Sequence, residues 1–131
     1  MDIERLKNNR EFEFHDRIWD DQTQIVLYYH EHPAFRIVFW DYYFANIFDQ
    51  AELGVQWTGF TRDYHAVERT MDFRGDPIAI ENPDEYLNDL YTYKERMAHY
   101  KDEQARACYK LICDFLAYAK EIGMTVMVDE E

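Results

Sequence analysis

Only seven residues of this 131-residue chain, four Gly and three Pro, are strong breakers of regular structure. Pro33, Gly54, Gly59, Gly75, Pro77, Pro83 and Gly123 therefore leave a few long segments, and those segments have to form the fold. No repeat, low-complexity run or flexible linker interrupts them, so residues 1–131 are expected to form a single acidic globular domain. A chain of this length buries roughly two thirds of its unfolded surface and folds without staples.

The C-terminal half is helical by pattern. Asn82-Pro83-Asp84-Glu85 places an N-cap, a first-turn proline and two first-turn acids in succession. Tyr86, Leu90, Tyr93, Met97 and Tyr100 then recur at helical spacing. A second helix is expected from about Asp102 to Ile122. Its apolar stripe is Cys108, Leu111, Ile112, Phe115, Leu116, Ala119 and Ile122, and Gly123 stops it. Met124–Val128 suits a short strand or an extended packing segment. In the N-terminal half, Pro33 and Gly54 frame a run in which Trp40, Tyr43, Phe44, Ile47, Phe48 and Ala51 share a helical face. Ile18, Trp19, Ile25, Val26 and Tyr29 share another, and Asp63 to about Phe73 suits a short helix that Asp63 caps. Glu11–Phe14 alternates as an edge strand would. The expected fold is thus all-α, a compact bundle of about five helices with a short C-terminal strand. The alternative is α+β. Gln24–Tyr29 and Phe35–Phe39 are rich in β-branched and aromatic residues, so a hairpin or meander turning through His32-Pro33-Ala34 would be followed by two C-terminal helices.

Charge narrows the partners. There are 27 acidic residues against 14 basic, a net charge of −13. Such a field repels nucleic acid and anionic membrane and steers basic proteins inward. An aromatic share of 18% argues for a folded body beneath the acidity. The acids are concentrated: six against Arg36 from Ile18 to Thr61, and six against Arg74 from Thr70 to Tyr93, with Tyr and Trp interleaved. The partner-binding candidates are Asp20, Asp21, Asp41, Asp49 and Glu52, with Tyr42 and Trp57 as aromatic anchors. The bland reading of the same residues is a solvated face over a tyrosine-rich core.

Catalytic patterns are thin. The chain has no serine and no glycine-rich phosphate loop. Cys108 and Cys113 lie in an apolar stripe, where a thiol loses reactivity, and they suit the core of a protein in a reducing compartment. His30-Glu31-His32 diverge on a helix, and Glu95 with His99 lacks the repeated motif of a di-metal bundle. No cofactor and no enzymatic activity are expected. The N-terminus has no basic-then-apolar leader and no stretch is long enough to span a bilayer, which points to the cytoplasm and to a monomer or weak dimer.

The segments Glu81–Tyr91 and Tyr109–Lys120 resemble the helical C-terminal part of some bacterial toxin immunity proteins of the contact-dependent growth inhibition type. That resemblance implies a cytoplasmic inhibitor, without catalysis of its own, that occludes the active site of one cognate basic toxin, a nuclease. It identifies no contact residue. Two other readings compete: a phage-type anti-defence protein that mimics nucleic acid with its carboxylates, and a small helical metal-dependent enzyme. Evenly spaced acids would favour the mimic and stoichiometric bound metal the enzyme.

Overall fold

The computed structural model describes residues 3–14, 23–49, 51, 55–66 and 76–131. The fold is α+β, which overturns the all-α expectation. After a short 3-10 helix at Ile3–Leu6, the elements in chain order are β1 (Asn9–Phe12), β2 (Gln24–Tyr29), β3 (His32–Trp40), α1 (Tyr42–Phe48), α2 (Gly59–Ala66), β4 (Ile78–Ala79), α3 (Pro83–Tyr91), α4 (Lys94–Ala98), α5 (Glu103–Ile122) and β5 (Val126–Glu130). The strands form one mixed sheet in the order β1-β3-β2-β5-β4. β1 runs parallel to β3, and the other neighbours are antiparallel.

The helical reading of the N-terminal half failed for a physical reason. β2 and β3 form a hairpin that turns at His30-Glu31, two residues before the expected position. Phe35, Ile37 and Phe39 face the helices in the main core. Val38, on the opposite row, is also buried, at 1% exposure. A strand buried on both sides loses the alternation that would have announced it, and an apolar run then mimics a helix face. Pro33 sits at the second position of β3, where a missing N–H costs little. Helix begins only at Tyr42, and within it Phe44, Ile47 and Phe48 are buried as their spacing required. Asp63 lies inside α2 rather than capping it.

The C-terminal half follows its local signals more closely. The Asn82 side chain accepts the Glu85 N–H at 3.2 Å, with Pro83 opening α3. Asp102 accepts from Gln104 and Ala105 at the start of α5, and Gly123 ends it at φ 74°. The expected continuous helix through Tyr100 is broken. The Thr92 hydroxyl donates to the Asp89 carbonyl at 2.6 Å, and a new short helix, α4, starts at Lys94. The core lies between the sheet and α5, where the Tyr29 ring packs against Phe115 at 4.2 Å and its hydroxyl donates to the Phe115 carbonyl at 2.7 Å.

Candidate functional site

Four of the seven predicted contact residues gather around α1. Asp20, Asp21 and Glu52 lie outside the described residues. Seven residues at 1.5 Å per residue make α1 about 10 Å long. Tyr42 and Asp49 fall on its outward side at i and i+7, while half-buried Asn46 lies under Tyr100. Tyr42 and Asp49 are exposed, whereas Phe44, Ile47 and Phe48 point inward.

At the N-terminal end of α1, an aromatic ladder meets two carboxylates. Trp40, the last residue of β3, stacks on Tyr42 at 4.5 Å with 28° between the rings, and the Phe14 ring lies 4.7 Å from Trp40 at a 41° tilt. Tyr42 is 45% exposed. Asp41 sits between the two stacked residues in sequence, half-buried, with its N–H donated to the Thr23 carbonyl. Burial pushes the Asp41 carboxyl above the ordinary aspartate range. The nearby Glu130 carboxylate, at the end of β5, pushes it further, and a Tyr42 backbone N–H opposes both. No described cation forms an ion pair with Asp41 or Glu130. The sheet makes this meeting: β3 and β5 flank β2 on either side, so their C-terminal ends lie near each other.

At the C-terminal end of α1, a second group closes over the helix carbonyls. The His65 ring nitrogen Nε2 lies 2.8 Å from the Phe48 carbonyl, and Trp57 stacks on that ring at 4.5 Å. Arg96 Nη2 donates to the Ile47 carbonyl and, at 3.4 Å, to that of Asn46, with its guanidinium over the Tyr93 ring. The His65 ring and the Arg96 guanidinium thus meet carbonyls that a helix end leaves open. Tyr100 spans the middle, donating to Asn46 Oδ1 at 2.5 Å.

Beside Trp57 lies a crevice of about 320 Å³, into which Thr58, Thr61, Asp89 and Tyr93 also project. Buried Asp89 accepts the Thr61 N–H at 2.9 Å and the Thr61 hydroxyl at 2.8 Å, while Tyr93 Oη lies 2.6 Å from that hydroxyl. Burial raises the Asp89 carboxyl and the Thr61 hydrogen bonds lower it. The carboxylate thus receives the Thr61 N–H in the first turn of α2 together with the Thr61 hydroxyl, a structural task that explains its burial.

No family model, curated protein or solved structure matches this chain. Among the described residues, no group of three or more His, Cys, Asp or Glu side chains is placed to hold a metal ion, and no helix is long and apolar enough to cross a membrane.

Sequence reasoning placed Asp41 and Tyr42 together because they are adjacent. It missed Trp40, Phe14, Tyr100 and Glu130. Trp40 carried a local signal as the third member of Trp40-Asp41-Tyr42. Glu130 carried none, because only sheet order brings it to Asp41.

Proposed function

We propose that this protein recognises a basic protein partner through the outward face of α1, and that it serves as a cytoplasmic inhibitor of the immunity-protein type, occluding the active site of a cognate nuclease toxin. One observation carries the reading. An exposed Tyr42 stacks on Trp40 beside the half-buried Asp41, which has no described counter-cation and whose carboxyl is raised by burial and, secondarily, by the Glu130 charge. Such a carboxylate is unfavourable in the free protein and improves when a partner supplies Lys or Arg. The aromatic faces offer the same cation a second attraction. Large rigid aromatics beside charge are the composition of interface hot spots, and the net charge of −13 speeds approach. Cys108 and Cys113 are unpaired and buried, as suits a reducing compartment.

The test is co-purification of tagged protein expressed in its own host, compared with a double variant carrying Asp41→Asn and Tyr42→Ala. The expected partner is stoichiometric, basic and lost from the double variant. Its catalytic activity falls when this protein is added, and its association slows as salt rises. A partner that the double variant retains in full, or an association rate indifferent to ionic strength, would count against the α1 face as the binding site.

A further inference from the structure

A second cavity has the opposite electrostatic character. A groove of about 330 Å³ runs between α4 and α5, with Met97, Tyr109 and Cys113 in its apolar floor and Lys94, Arg106 and Lys110 around it. Helical spacing builds it: Arg106, Tyr109, Lys110 and Cys113 occupy one face of α5, while Lys94 and Met97 lie one turn apart on α4. The polar groups of the floor are already committed. Tyr109 donates its hydroxyl to the Leu90 carbonyl at 2.5 Å, and burial holds the Cys113 thiol protonated.

Six of the eleven described basic residues, Arg36, Lys94, Arg96, Lys101, Arg106 and Lys110, form no ion pair with a described acid, and three of the six line this groove. Among the described residues, Arg5, Lys7, Arg10, Arg62 and Lys120 are each paired with a carboxylate. Lys94 and Lys110 pair with none, and Arg106 donates to the Tyr100 carbonyl rather than to an acid. Three cations without a described carboxylate partner thus border one apolar groove in a chain with 27 acidic residues, while Asp114, beside Cys113 and Tyr91, is paired with Arg5.

We propose that this groove binds a monomeric anionic amphiphile, an alkyl carboxylate whose chain lies on the Met97–Tyr109 floor and whose head group meets Lys94, Arg106 and Lys110. The volume is near the lower end of small-molecule sites. A peptide fits less well, because its backbone N–H and C=O groups would lose water against a floor with almost no free donor or acceptor. A hydrocarbon chain makes no such demand. An anionic bilayer fits less well too, because it would face the whole charge of −13, whereas a single small anion feels mainly the charges within a screening length of about 8 Å. The groove shares no residue with the α1 face, so this inference stands apart from the proposed function.

The test is calorimetric titration of the full chain with octanoate, decanoate and dodecanoate below their micelle-forming concentrations, with decanol and dodecyltrimethylammonium as neutral and cationic controls. Each added methylene that is fully buried should tighten binding about fourfold. In this open groove the expected gain is about twofold, one carboxylate should bind per chain, and both controls should bind more weakly. Methyl resonances of Met97 should shift while those near Trp57 do not. Lys94→Gln with Lys110→Gln, both exposed positions, should leave the fold intact and weaken decanoate by about twofold to thirtyfold. The proposal is overturned if the cationic amphiphile binds as well as decanoate, if chain length has no effect, if the shifts map to the Trp57 crevice, or if an acidic amphipathic peptide or anionic vesicles bind where decanoate does not.

Discussion

Two glycines with similar backbones offer a controlled measurement of how α2 is held. Gly59 and Gly123 both lie at positive φ, +57° and +74°. A side chain at either position pays for the left-handed conformation, about 1–2 kcal/mol. They differ in what surrounds them. A Cβ at Gly123 meets nothing within 4 Å, whereas one at Gly59 lies 3.0 Å from Asp89 Cβ, 3.1 Å from Tyr86 Cα and 3.3 Å from the Glu85 carbonyl oxygen. Two of those atoms are α3 backbone and the third is fixed to it, so α2 must move away. Any such movement stretches the 2.9 Å bond from the Thr61 N–H to Asp89, a hydrogen bond to a charged group worth about 1.5–3 kcal/mol when intact. Gly59→Ala should therefore cost about 2–4 kcal/mol and Gly123→Ala about 1 kcal/mol. At about 2.1 cal/mol/K per residue, the unfolding entropy of a chain this size converts each kcal/mol into roughly 4 °C. Differential scanning calorimetry should show Gly59→Ala melting about 8–16 °C below the parent and Gly123→Ala about 4 °C below. Hydrogen exchange at the Thr61 amide should accelerate only in the first. Equal losses for the two variants would refute the close approach of α2 to α3.

Asp41→Asn should change the pH dependence of stability. The folded-state pKa of Asp41 is raised above 3.8, so its contribution is fully present below that value and is lost as pH rises through the raised pKa. Asparagine removes that loss. Urea denaturation of the variant should show a gain over the parent at pH 7 that shrinks toward pH 4, and parallel curves would contradict the reasoning. Tyr29→Phe removes the 2.7 Å hydrogen bond to the Phe115 carbonyl, which keeps its helical partner; about 1 kcal/mol should be lost in chemical denaturation, with no change in the slope. The thiols should be poorly reactive in the folded state. Burial pushes Cys113 up to about 12 and Cys108 well above the usual thiol range, so thiol-exchange reagents should label Cys108 only at the rate of unfolding and Cys113, in the groove floor, far more slowly than a free thiol; a fast native-state reaction at Cys108 would contradict its burial.

Legibility from sequence divided along contact range. The caps at Asn82 and Asp102 and the stop at Gly123 are written within four residues of where they act, and each is found where local chemistry puts it. β3 is the opposite case. Its helical appearance came from apolar residues on both rows, and only pairing with β1 and β2 shows that Arg36, Val38 and Trp40 form a second strand row. The break at Thr92 had no Gly or Pro to signal it, because it rests on a hydroxyl taking the place of helix continuation. The candidate site divides the same way. Trp40, Asp41 and Tyr42 are neighbours in the chain, while Glu130 joins them through the strand order.

Net charge was the most visible feature of the sequence, but pairing decides where that charge acts. Arg10 joins Glu13 and Glu131 across the chain, Arg62 holds Glu85 at 2.8 Å between α2 and α3, and Lys120 meets Asp84 between α5 and α3. These pairs lie at the surface, with side chains partly buried to more than half exposed, and surface pairs contribute about 0–1 kcal/mol each, so their main effect is to neutralise particular acids rather than to hold the fold. Asp41 and Glu130 are outside that network, and Asp41 is half-buried, where a charge is less screened than on an open surface. A cation delivered there by a partner gains more than the same cation at an exposed, already paired carboxylate. Removing acids elsewhere on the surface should slow association with little effect on dissociation, whereas removing Asp41 should speed dissociation. That contrast in rates separates a local recognition site from a generally acidic surface.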